Sequence, residues 1–175
     1  MDLMMRHFTS LALMGAALAA CQTAEPPPSA GTVDTHEAMV RWVNPAALAI
    51  WDVSNNAVSE TGGLDPALMD DASWSKLQDA AQLLELHSRH MADAQILRVG
   101  AHNDEVEGFA TRAEIQAMID ADPNGFRRLS REMAEHAREL GAAATARNVQ
   151  QSGGLADNLS ERCQACHSRY WEKPA

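Results

Sequence analysis

The chain has 175 residues, 14 basic against 24 acidic for a net charge of −10, and 46% of it is hydrophobic. That is enough for one domain with a real core, and so acidic a balance makes a poor nucleic-acid binder. The charge suits solubility or approach to a basic partner without naming one.

Residues 1–20 resemble an export signal, with Arg6 and then an apolar run from Phe8 to Ala20. The run falls short of the roughly 20 apolar residues of a membrane-spanning helix. It closes on Leu18-Ala19-Ala20-Cys21, which resembles a bacterial lipobox. That resemblance implies a lipidated Cys21 as the first mature residue, and a periplasmic protein held to a bacterial membrane by the lipid alone. The alternative is cleavage after a small residue, which gives a free periplasmic protein. Residues 21–33, with Pro26-Pro27-Pro28 and Ser29-Ala30-Gly31, form a flexible tether, extended at about 3 Å per residue. Residues 34–175 form one domain.

The domain reads as helices. The first runs from Thr35 to Ala57, with Met39, Val43, Ala46, Ile50 and Trp51 as its apolar stripe. Pro45 must kink or split it, because proline removes a backbone donor. A loop follows, with Gly62-Gly63 and a short helix opened by Asp65-Pro66. The second long helix spans Ser73 to Val99. Trp74, Leu77, Ala81, Leu84, Ser88 and Met91 repeat every seven residues, and Ala80, Leu83 and Leu86 widen the buried side. Gly100 stops it. Thr111-Arg112-Ala113-Glu114 is a capping box that opens a short helix to Ala121, inside a long crossover.

The third long helix spans Gly125 to Gln150 and buries Phe126, Leu129, Met133, Ala137, Leu140 and Ala144. Gly153-Gly154 breaks the chain. The fourth helix, Leu155 to Trp171, carries Leu155, Leu159, Cys163, Cys166, His167 and Tyr170 inward. No strand pattern is visible. The fold class is all-α, a four-helix bundle, in which cofactor sites are built from facing helices.

Cys163-Gln164-Ala165-Cys166-His167 is the haem-attachment pattern Cys-x-x-Cys-His. Two thiols add to the two haem vinyl groups, and the adjacent histidine supplies an axial nitrogen to iron. At about 100° per residue, Cys163, Cys166 and His167 share one helix face. A redox dithiol would need a βαβ context. A structural zinc site would need four ligands, usually from two such pairs, and there is one. With Cys21 assigned to the signal, no cysteine is left for a disulfide.

A four-helix bundle with this motif on its last helix resembles the cytochrome c-prime family. The resemblance covers Thr35 to Trp171 and rests on Cys163, Cys166, His167 and Tyr170, on a methionine-bearing first helix and on helix order. It implies one covalent haem c between the last helix and the first, with Met39, Val43 and Tyr170 in the haem pocket, His167 as axial ligand and Met39 as a candidate sixth ligand. Low-spin members of the family ligate a methionine there and transfer electrons. High-spin members leave the position open, and some bind nitric oxide or carbon monoxide. Two features depart from the pattern. The basic residue often found four positions after the haem histidine is replaced by Trp171, although Arg169 is close. An arginine one turn before the distal residue is absent at Thr35, which leaves Arg41 or none.

Trp42 is a further candidate for the pocket wall. His36, His87, His90, His102 and His136 are further candidate ligands, each read first as a surface or hydrogen-bonded histidine. His87, His90 and Glu85 do not close a metal ligand set. No acid–base constellation marks an enzyme. The expected function is electron transfer to and from redox partner proteins; the alternative is binding of small gas ligands at an open sixth position. The sequence leaves a homodimer open.

Overall fold

The computed structural model describes residues 31–60, 62–101 and 106–173. Residues 1–30, including the signal, Cys21 and most of the tether, lie outside the described residues, as does His102.

The described chain is an all-α bundle of four long helical rods. The first rod has three parts: α1 (Thr35–Ala38), a π-helical turn (Met39–Val43) and α2 (Asn44–Asn56). Asp34 caps its start by accepting from the Glu37 N–H at 3.0 Å. The expected effect of Pro45 takes the form of the π turn. A proline ring in an α-helix collides with the carbonyl four residues back. Here the turn just before Pro45 is widened, and the Asn44 N–H reaches the Met39 carbonyl.

The second rod is α3 (Asp71–Asp93), opened by Asp70, whose carboxylate accepts from the Ser73 N–H at 2.7 Å. The third is α5 (Pro123–Thr145), and the fourth is α6 (Val149–Asp157) followed by α7 (Leu159–Tyr170). α4 (Arg112–Ala121) sits in the crossover behind the expected Thr111–Glu114 capping box. A single 3₁₀ turn, Pro66–Leu68, follows Asp65 as expected. The core runs between α2, α3 and α5 through Ile50, Leu77, Leu84 and Leu140, and reaches Leu159 at the start of α7; all five are fully buried.

Four expectations are corrected. First, the second long helix stops at Asp93, and Ile96–Arg98 leaves it as β2, paired in parallel with β1 (Thr32–Asp34) with Val33 opposite Leu97. β1 therefore includes Thr32 and Val33, the last two residues of the stretch read as tether. Gly100 closes against β1: its N–H donates to Asp34 Oδ1 at 3.1 Å, and a Cβ there would lie 1.8 Å from Asp34 Oδ2. Second, Leu83 and Leu86 are exposed, at 46% and 45%, so the buried stripe of α3 is narrower than read. Third, Gly153-Gly154 does not break the chain but lies within α6. Gly153 is there for close approach, since a Cβ would come within 3.2 Å of the Leu64 backbone nitrogen. Fourth, the third helix ends at Thr145. The break falls at Arg147, which takes a left-handed φ of 51°, and at Asn148, which caps α6 by accepting from the Gln151 N–H at 3.1 Å.

Candidate haem site

α7 places Cys163, Cys166 and His167 half-buried along one side of the helix, as the spacing requires. Two features fix its C-terminal end against the bundle. Asp122 caps α5 by accepting from the Gly125 N–H at 2.9 Å and forms an ion pair with Arg169. The buried Tyr170 hydroxyl donates to the Asp122 carbonyl at 2.9 Å. On the other side the Ala110 N–H donates to the Trp171 carbonyl at 2.9 Å, and Phe109 stacks on Trp171 with ring centroids 4.2 Å apart. The crossover is thereby tied to the helix that carries the thiols.

Two adjoining cavities lie against this helix, of about 360 Å³ and about 230 Å³. Met39, Asn44, Cys166 and His167 line both. The larger is walled by Val99 after β2, Ile115 and Ile119 of α4, Phe126 of α5, and Tyr170 and Trp171. The smaller adds Cys163, Val43, Met91, Met133 and Ser88. Most of these side chains are apolar, and burial disfavours charge on the reactive groups. It pushes the Cys163 thiol up, and the Cys166 thiol, beside Cys163, up to about 11. It also pushes the His167 imidazole below its ordinary value, against the pull of Glu172.

Met39, Cys166 and His167 thus line both cavities, Val43 and Cys163 the smaller alone, and Tyr170 the larger alone. Trp42 does not join them. It is 39% exposed, stacks on His87 at 4.8 Å and lines a separate outer groove. Among the histidine candidates, His36 lines the larger cavity. His87, His90 and His136 line neither, and His136 instead donates from Nε2 to the Leu155 carbonyl at 2.8 Å. Arg41 pairs with Glu37 on the surface at 2.7 Å and does not line either cavity. Among the described residues no three His, Cys, Asp or Glu side chains gather as a metal site. The sequence reading missed Ser88 as a wall residue, along with Ile115 and Ile119, whose i,i+4 spacing on a capped helix was the available signal.

Two thiols and a neutral imidazole, set side by side on the wall of a largely apolar cleft between the last and first helices, fit a haem held by two thioethers and one axial nitrogen. That donor set on a helical bundle is the arrangement of a c-type cytochrome. The family model described as Cytochrome C' matches residues 59–171, and the chain belongs to that family, whose members carry covalently bound haem c. The match begins after α2, so the rod that supplies Met39 lies outside it. Comparison with the curated proteins and with the solved structures finds no match.

Proposed function

We propose that the protein is a periplasmic electron carrier with one haem c, joined to Cys163 and Cys166, ligated by His167, and anchored to a bacterial membrane through lipid on Cys21. The observation that carries the haem placement is the shared wall: Cys166, His167 and Met39 bound both cavities, and Cys163 bounds the second. Bound there, haem supplies an iron that alternates between two oxidation states. The protein's residues do the rest. The thiols fix the ring, and His167 stays neutral at physiological pH, the form that coordinates a metal. Ile115, Ile119 and Phe126 exclude water and so disfavour the more charged oxidised state, which raises the potential. Because burial keeps both thiols protonated and weakly nucleophilic, attachment depends on a c-type maturation system. The acidic chain steers toward redox partners with basic surfaces.

A second reading, an open sixth position that binds nitric oxide or carbon monoxide, is favoured by the cavity of about 230 Å³ beside Met39 and Val43. One preparation tests the shared core of both readings. Expressed with a maturation system, the wild type should keep its haem on denaturing gels and through acid–acetone extraction, and Cys163→Ala or Cys166→Ala should weaken or abolish attachment. Haem extracted intact from the wild type overturns it. Labelled fatty acid should enter the wild type and not Cys21→Ala; a soluble mature protein beginning elsewhere refutes the anchor.

A further inference from the structure

The smaller cavity has one residue in its wall whose polar atom the packing does not explain. Ser88 sits on the inner side of α3, fully buried, and its hydroxyl has no hydrogen-bond partner among the described residues. A helical serine or threonine has an easy partner one turn back, at the i−4 carbonyl. Ser54, Ser130 and Thr145 all take it, at 2.9, 3.0 and 2.8 Å. Ser88 has the Leu84 carbonyl in the same relation and does not. A buried hydroxyl left unpaired is costly and rare.

Its hydroxyl is the most deeply buried donor in that wall; Trp51, whose indole also carries an N–H, is only half-buried. Ser130, also in the cavity wall, has its proton committed to the Phe126 carbonyl. Asn44, Ser160, Arg162 and Gln164 line the same cavity but are exposed to solvent. Ser152 and His90 also carry unpaired buried polar atoms, and neither lines this cavity. The residue that carries the orphan donor therefore belongs to the wall of the cavity that Met39 and His167 also line.

We propose that Ser88 donates a hydrogen bond to a small diatomic ligand held in this cavity on the iron, and so sets which such ligands the protein keeps. The inference rests on the haem placement proposed above and on an exchangeable sixth position. Distal donors favour ligands that accept hydrogen bonds over those that accept them poorly, so nitric oxide gains over carbon monoxide.

The test uses the haem-loaded, reduced protein with carbon monoxide as probe, in the wild type, Ser88→Ala and Ser88→Thr. The C–O stretch should move to higher wavenumber in Ser88→Ala and return toward the wild-type position in Ser88→Thr. Transfer of the wild type to heavy water should also shift the band, a readout that needs no variant. Nitric oxide should leave Ser88→Ala about fivefold to tenfold faster, the worth of one hydrogen bond. An identical C–O stretch in the wild type and Ser88→Ala, with no shift in heavy water, overturns the inference, as does a reduced wild type that binds no carbon monoxide. A pyridine haemochrome assay on the same sample separates these results from a failure of haem attachment, which would bring down the parent reading as well.

Discussion

His167 and Trp171, one helical turn apart, meet edge to face, with ring centroids 4.8 Å apart and an interplanar angle of 67°. The indole stands where the family often has a basic residue, and it is clasped from outside by Phe109. An apolar aromatic therefore touches the imidazole where a cation would otherwise lie. Trp171→Ala removes the ring contact and the Phe109 stack together. Stability should fall by about 2 kcal/mol in urea titration, the scale of a half-buried aromatic and its pair. The reduction potential should shift as water reaches the His167 side. Trp171→Phe should keep most of both. An unchanged potential in Trp171→Ala would show that the contact does not tune the ligand.

Met39 sits half-buried in the π turn and lines both cavities. If its thioether ligates iron, the oxidised protein is low-spin with a near-infrared sulfur-to-iron band, and Met39→Ala abolishes that band. If Met39 only packs, the spectrum is high-spin, the reduced protein binds carbon monoxide quickly, and Met39→Ala barely alters the spin state. A low-spin spectrum without the band, unchanged by the substitution, points to a histidine, and His36 is the one in the cavity wall.

Gly125 is hemmed in at the start of α5. A Cβ there would lie 2.1 Å from Asp122 Oδ2 and 2.7 Å from the Tyr170 hydroxyl oxygen. Gly125→Ala should displace the Asp122 carboxylate and weaken the grip on Arg169 and Tyr170, costing about 1–3 kcal/mol by overpacking. Thermal unfolding checks the cost. A wild-type melting temperature would show that the side chains yield freely.

His136 is buried between α5 and α6, and burial holds its pKa below the ordinary value of 6.5, with Arg162 lowering it further and the Leu155 carbonyl and Glu139 opposing. Its neutral form is favoured by folding, so its contribution is complete above pH 6.5 and is lost as pH falls through the depressed folded value. Urea midpoints should drop between pH 7 and pH 5, and His136→Gln should flatten part of that slope. An equal slope in both proteins would remove His136 as the cause.

The helices were legible where local chemistry and periodicity agree, as at Thr111 and Glu114, Asp65, and the heptads of Trp74 to Met91. The strands were not. Three residues carry too little alternation to be seen, and Ile96 and Leu97 extend the apolar rhythm of the preceding helix although their backbone pairs with Thr32–Asp34. Gly153-Gly154 misled because glycine marks both chain breaks and close contacts, and only the position of Leu64 tells them apart. Within the site, Cys163, Cys166 and His167 were readable because the Cys-x-x-Cys-His spacing puts all three on one helix face. Ser88 was not, because a small residue on a buried stripe looks like packing until its neighbours are known.

The pairing of β1 with β2 also sets an order of events. Thr35 meets the Arg98 carbonyl, and Asp34 meets Gly100, across separations of 63 and 66 residues. Contacts so distant in sequence form slowly, after the intervening helices exist. Thr35 and Val99 are walls of the larger cavity, so that wall closes late. With the cleft open on this side during folding, the haem of the proposed site would have a route to the thiols of α7 before the strands shut it.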